Sequence, residues 1–304
     1  MALAVVLGAN GFIGRHVAGA LSGGSDIVVV GAGLGAPLPG LESGWLGMDL
    51  LAGDGRLSAE LRSVHPDLIV NCTGATAGTA AELTRLNVET TAALLEAIAR
   101  SGIRARLIHL GSAAEYGPGP VGLPVAETAP ARPVSAYGIA KLAATGLVAA
   151  AASAGGEAVV LRIFNALGPG MPPGTLPGGA LRRLIEAVAA SAPRIEMGSL
   201  ESVRDFVDVR DIGAAVLAAC RAPRLDAPIV NVGSGTGHSA RELVRALAER
   251  VGFTGEIGEA GAGSPRSSDV PWQVADVSLA EHLLGWRAAH DLRSTVEMMT
   301  ADRA

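Results

Sequence analysis

The chain has 304 residues, 49% of them hydrophobic, which is ample for a large buried core. Only 17% are charged, but the balance is Gly and Ala rather than Ser, Gln and Glu, so the composition is not that of a disordered chain. A net charge of -5 excludes a global basic field of the kind that holds nucleic acid. Cys72 and Cys220 stand outside any metal-ligand spacing and are expected as small buried hydrophobes. His16, His65, His109, His238, His282 and His290 are scattered as well, so no metal is expected. Two lone thiols fit a reducing cytoplasm. The first residues lack a basic region and run straight into a strand pattern, unlike a signal peptide. No uninterrupted apolar stretch approaches the roughly 18 residues of a membrane span.

Residues 3–7 form a short apolar run that ends at Gly8. Gly11 and Gly14 follow, inside a pattern that predicts a helix over 12–21. Residues 27–30 read as a second buried strand. Further strands are expected near 67–72, 106–110 and 158–163, with helices near 79–101 and 136–154. Apolar strands alternating with helices indicate parallel βαβ units, hence an α/β Rossmann-type doubly wound sheet. After residue 166 the texture changes: Gly168-Pro169-Gly170 and Pro172-Pro173 open a stretch with few strand signals. A helix is expected over 178–191, a strand over 229–232, and helices near 239–251 and 278–285. We read a dinucleotide-binding domain over 1–166. A smaller substrate domain covers most of 167–304, with parts near 204–235 returning to the first.

The spacing Gly8-x-x-Gly11-x-x-Gly14 has a strand before it and a helix after it, as a dinucleotide site requires. Glycine permits the tight turn and lets a pyrophosphate approach the backbone, where the helix N-terminus offers free N–H groups. An acidic residue after the second strand commonly holds the ribose of NAD. Here that strand ends Gly31-Ala32-Gly33, and Arg15 stands ready to face a 2′-phosphate. Both features lean toward NADP over NAD. Asp49 is either an acceptor for the adenine amino group or a helix cap.

Of the 24 basic residues only Lys141 is a lysine, and only Tyr116 and Tyr137 are tyrosines. Where Arg serves everywhere else, a lone Lys marks a place for a compact ammonium. Tyr137 and Lys141 are one helical turn apart and share a face. A free tyrosine has a pKa of about 10, and a nearby ammonium lowers it, which suits Tyr137 to proton exchange with a carbonyl oxygen. Ser112 follows the strand 106–110, at the end where parallel sheets bind ligands, and its hydroxyl can meet the same oxygen. Tyr116 reads instead as a turn-packing residue.

Several segments resemble the extended short-chain dehydrogenase/reductase family, the NAD-dependent epimerases and dehydratases that act on nucleotide sugars. They are GANGFIG at 8–14, Asn71, Asn87, GSAAEYG at 111–117, YGIAK at 137–141, LRIFNALGPG at 161–170, RDFVDVRD at 204–211 and NVGSG at 231–235. The resemblance implies Ser112, Tyr137 and Lys141 as catalytic residues. For the cofactor it implies Gly8, Asn10, Gly11, Phe12, Ile13, Gly14, Arg15, Asp49, Leu50 and Asn87, joined by Tyr137 and Lys141. It puts Asn165 and Arg204 at a nucleotide diphosphate, with Arg266 beside them; Arg204 has the alternative of pairing with Asp205 or Asp208. A homodimer through the helices near 79–101 and 136–154 is also implied. The family's 4,6-dehydratases carry Asp-Glu directly after the catalytic hydroxyl residue, where this chain has Ala113-Ala114. Methyl groups do no acid–base work, and Glu115 is expected to point elsewhere. The expectation is therefore NADPH- or NADH-dependent reduction of a keto group on a nucleotide-linked deoxysugar. A 4-epimerase and a reductase of a non-sugar carbonyl are the alternatives.

Overall fold

The computed structural model describes residues 1–41, 44–53, 55–261 and 270–301. The chain runs β1 (Ala2–Leu7), α1 (Phe12–Ser22), β2 (Ile27–Gly33), β3 (Trp45–Gly47), α2 (Arg56–Val64), β4 (Leu68–Asn71), α3 (Ala80–Thr84), a π-helical turn (Arg85–Glu89), α4 (Thr90–Ser101), β5 (Arg106–Ser112), a 3₁₀ turn (Ala113–Glu115), α5 (Ala136–Ser153) and β6 (Ala158–Ile163). It continues through β7 (Asn165–Leu167), α6 (Leu176–Ala189), β8 (Arg194–Met197), β9 (Val203–Asp208), α7 (Val209–Arg221), β10 (Ile229–Val232), β11 (Gly237–Ser239), α8 (Ala240–Val251), β12 (Glu256–Glu259), β13 (Trp272–Gln273), α9 (Ser278–Leu284) and α10 (Leu292–Met299).

Seven strands form one parallel sheet in the order β10-β6-β5-β4-β1-β2-β3. The order reverses between β1 and β4, and open parallel sheets bind ligands beyond the strand ends at such a point. Alternate residues feed opposite layers, as the strand period requires. Ala4, Val6, Val70, Ile108 and Leu110 join α1 and α7 in one apolar core, while Val5, Leu7, Ile69 and Leu107 join α2 and α4 in another. A third core lies among α6, α8 and α10. It backs a small sheet in which β9 lies between β11 and β13 and also pairs with β7. Thus β9 lies in the small sheet, and the chain then returns: α7 packs on α1, and β10 pairs with β6.

Several elements depart from the sequence expectations. The strand β9 and helix α7 were not anticipated. Asp208 ends the strand and caps the helix through Arg210 N, so no turn residues punctuate the junction. The helix expected over 79–101 is continuous but contains the π turn, an extra residue that swings buried Asn87 inward. Helix α5 is long and apolar enough, by length and composition, to cross a membrane. Yet Lys141 is buried within it, and the helix packs on β5 and β6, as a core helix does.

The first crossover turns on two glycines. Gly8 has φ +73°, and a Cβ on Gly14 would stand 2.1 Å from the Gly8 carbonyl oxygen. Helix α1 therefore starts directly on the turn. Because that oxygen belongs to the backbone and cannot yield, Gly14→Ala is expected to cost about 1–3 kcal/mol. Thermal melting should show a lowered Tm; an unchanged Tm would mean that the turn relaxes freely.

Candidate active site

Helix α1 begins at Gly11, with extended φ −72° and ψ 171°, and has neither a side-chain cap nor an acidic residue in its first turn. Its N–H groups and partial positive charge are left for an anion. In front of them lies a cleft of about 270 Å³. Gly8, Asn10, Gly11, Asp49 and Leu50 border it, together with Gly33 and Leu34 at the end of β2. Cys72, Thr73 and Gly74, after β4, close the far side; sequence reading missed these three, because the only signal there was Asn71. Phe12 and Ile13 supply backbone at the helix start while their side chains pack on the core. Asn87 donates to Ala75 O at 3.0 Å and Leu83 O at 2.9 Å, but its buried Oδ1 has no partner. An uncapped helix start, a glycine turn and an orphaned acceptor beside Gly74 fit a bound dinucleotide.

Two cofactor residues behave differently from expectation. Arg15 donates from Nε to Gly11 O at 3.2 Å, and its guanidinium rests against Gly170. Neither contact involves the end of β2. Asp49 accepts from Leu51 N at 2.9 Å within its own turn, and α2 is capped by Gly55 instead, so Asp49 is no helix cap. At the end of β2 itself, Asn10 Nδ2 donates to Leu34 O at 2.6 Å.

Ser112 ends β5 and caps the 3₁₀ turn, its Oγ accepting from Ala114 N at 3.2 Å. Helix α5 starts at its own cap, Ser135, whose Oγ accepts from Gly138 N. A Cβ on Gly138 would lie 2.4 Å from Ala114 O. Only glycine lets the first turn of α5, with half-buried Tyr137, press against the turn that follows Ser112. One turn on, the buried Lys141 ammonium donates to Leu110 O on β5. Its pKa falls to about 8, because burial outweighs the opposing pull of Glu115 and Cys72. Nearby His109 is buried and held well below the usual histidine range by burial and by Lys141, so it is neutral; its Nδ1 meets Asn71 Nδ2 at 3.1 Å. Burial pushes the Cys72 thiol up to about 12 and the Cys220 thiol likewise. Neither is a ready nucleophile.

Tyr116 has buried partners of its own. Its hydroxyl donates to Asn231 Oδ1 at 2.7 Å, and the Arg162 guanidinium stands 4.5 Å over its ring. Glu115, directed inward, is bound to Ser112 N, Thr145 and Arg162.

On the small sheet, Asn165 opens β7 and donates to Asp205 O at 3.1 Å, next to Arg204 on β9. Arg204 donates to Val203 O, and burial pulls its pKa below the usual guanidinium value. The ion pairs considered for it do not form. Asp205 accepts instead from Ser234, Gly235 and Ala275, and Asp208 pairs with Arg210. Arg266 lies outside the described residues. Gln273, which sequence reading missed, reaches from β13 to Ala113 O and Gly117 O.

Known proteins resemble this chain in sequence and in fold. The family model for the NAD dependent epimerase/dehydratase family matches residues 4–233. The chain is 40% identical to a dTDP-6-deoxy-L-talose 4-dehydrogenase (NAD(P)(+)) of Kitasatospora kifunensis, over 97% of this chain and 94% of that one. It is 35% identical to a UDP-glucose 4-epimerase of Streptomyces lividans, over 66% of this chain and 63% of the other. The solved structure of MoeE5 in complex with UDP-glucuronic acid and NAD superposes with a TM-score of 0.84 at 29% identity, covering 99% of this chain and 98% of that one. With its parallel sheet, glycine turn and matched length, the chain belongs to the NAD-dependent epimerase/dehydratase family of extended short-chain dehydrogenases/reductases.

Proposed function

We propose that this protein reduces a keto group, at C4 by analogy with the talose dehydrogenase, on a nucleotide-linked 6-deoxysugar, using NADPH or NADH. The observation that carries the reading is the press of α5, the helix of Tyr137 and Lys141, on the turn that follows Ser112. Two methyl groups, Ala113 and Ala114, stand where elimination of water would need acids. The 40% identity to a nucleotide-sugar 4-dehydrogenase supports the same substrate class.

When bound, the reduced nicotinamide supplies the hydride. Tyr137 donates its phenolic proton to the substrate oxygen as that oxygen gains charge, and Ser112 Oγ hydrogen-bonds the same oxygen. The Lys141 ammonium favours the phenolate left behind. Arg204, half-buried and with no carboxylate pairing it among the described residues, is suited to diphosphate oxygens, with Asn165 beside it. The preference for NADP rests on the strand end at Gly33-Leu34, which among the described residues has no carboxylate of its own for a ribose. NAD remains usable, as the name of the NAD(P)-linked relative suggests. A second copy of the chain is the natural cover for Ile139 and Leu147, exposed on α5. Two free thiols, Cys72 and Cys220, suit a cytoplasmic setting.

Absorbance of the reduced nicotinamide, followed with NADPH and NADH in parallel, should fall on addition of a dTDP-4-keto-6-deoxyhexose. An isomerised sugar with no net consumption would replace this reading with an epimerase. Tyr137→Phe should keep cofactor binding and lose about 10²–10⁴-fold in turnover. Unchanged turnover would overturn the site.

The reduction should also lose activity as pH rises through about 8, where Lys141 gives up its proton. The sign follows from the ammonium being the useful form, present below that pH and absent above it. A kcat/KM profile flat from pH 7 to 10 would contradict it. Light scattering should give twice the mass of one chain, and Leu147→Glu should halve it.

A further inference from the structure

Beneath the proposed site lies one carboxylate that the chemistry does not use directly. Glu115 is 0% exposed. Its Oε1 accepts from the Ser112 backbone N–H at 2.7 Å and from Thr145 Oγ1 at 3.0 Å, and its Oε2 accepts from Arg162 Nε at 2.7 Å. Ser112 ends β5, Arg162 belongs to β6, and Thr145 lies one turn beyond Lys141 on α5. One side chain therefore ties together the three elements whose relative position defines the site. The bond to Ser112 N is the reciprocal half of a capping box, in which Ser112 Oγ accepts from the backbone of the turn. That arrangement also fixes where the hydroxyl sits.

Stability alone is a poor reason for this design. Removing two charges from water costs much of what their attraction returns, and a well-packed apolar pair of similar volume commonly serves as well. An apolar side chain could not hold the Ser112 amide, nor bond Thr145.

We propose that Glu115 is a positioning residue: by gripping the Ser112 amide and Thr145 together, it sets the spacing between the hydroxyl turn and the helix that carries Tyr137 and Lys141. Its charge has a second consequence. The groups facing Lys141 are Glu115 on the turn, Cys72 after β4, and neutral His109 with the Leu110 carbonyl on β5. Burial works against the ammonium, and Glu115 is the largest influence restoring it.

The inference rests on the reading of Ser112, Tyr137 and Lys141 as the chemistry, so Tyr137→Phe is run beside it. Glu115→Gln alone leaves Arg162 buried without a counter-charge and risks unfolding. The informative variants are therefore paired. Glu115→Leu with Arg162→Met removes both grip and charge. Glu115→Gln with Arg162→Gln keeps an acceptor for Ser112 and removes the charge. Thr145→Val leaves the ion pair whole and breaks one grip. Melting by circular dichroism and a fluorescence titration with NADPH establish folding and cofactor binding.

The Leu/Met variant should lose about 10-fold or more in kcat with NADPH binding retained. The Gln/Gln variant should keep more of its kcat, while its alkaline limb moves down by about half a pH unit or more. Thr145→Val should lower kcat by about 3-fold with its limb in place. Wild-type kcat in the Leu/Met or the Thr145→Val variant would overturn the grip. A wild-type limb in the Gln/Gln variant would overturn the charge effect. If Tyr137→Phe turns over normally, the site reading fails instead.

Discussion

The approach of helix α1 to the carbonyl of Gly8 is the constraint on which the rest depends. The first turn of α1 can sit there only because Gly14 has no Cβ. The helix then points its uncapped N-terminus at the gap where β1 and β4 part company in the strand order. Everything that surrounds the cleft is placed by the same parallel sheet. Strand β2 ends beside Asn10, β4 ends at Asn71 before Thr73 and Gly74, and β5 ends at Ser112. A side chain on Gly14 would move the helix, and with it the electrostatic floor of the cleft.

Against this rigid frame the polar interior is unusually purposeful. Buried carboxylates are costly unless satisfied, and here each carries several bonds. Asp205 accepts from Ser234, Gly235 and Ala275 and so fastens the loop after β10 to β9. Asp211 accepts from Ala289 N, His290 N and His290 Nδ1, which ties α7 to the segment between α9 and α10. Glu115 does the equivalent under Ser112. With Asp205 and Asp208 engaged in this way, Arg204 is left beside Asn165 with its charge uncommitted among the described residues, the condition an anionic ligand needs.

Much of this was legible in the sequence because two signals were local. Strand–glycine–helix spacing marks a phosphate turn within a few residues. The single lysine, four residues after a tyrosine, stood out from a background of arginine. What escaped was set by distant partners. Nothing near Arg15 says that its guanidinium will rest against Gly170, and nothing near Glu115 names Arg162 or Thr145. The π turn at Asn87 was hidden for another reason: the apolar spacing of 79–101 continues through it, and one inserted residue changes the direction of a side chain without breaking the helix. Strand β9 and helix α7 were lost because Asp208 serves both as strand end and as helix cap, so the usual turn residues are missing.

Proton transfer and cofactor choice are decided at different distances from the hydroxyl turn. Proton transfer is decided within a few ångströms, by which groups can ionise, and the 3₁₀ turn after Ser112 offers only Ala113 and Ala114. The nearest carboxylate, Glu115, is spent on Ser112 N, Thr145 and Arg162 and is closed off from solvent. On the proposed reading, Tyr137 is then the group that supplies a proton to the substrate oxygen. Cofactor choice is decided farther off, at the end of β2, where the structure presents glycine, a leucine carbonyl and an asparagine amide. Among the described residues that strand end carries no carboxylate, and the proposed leaning toward NADP rests on this feature.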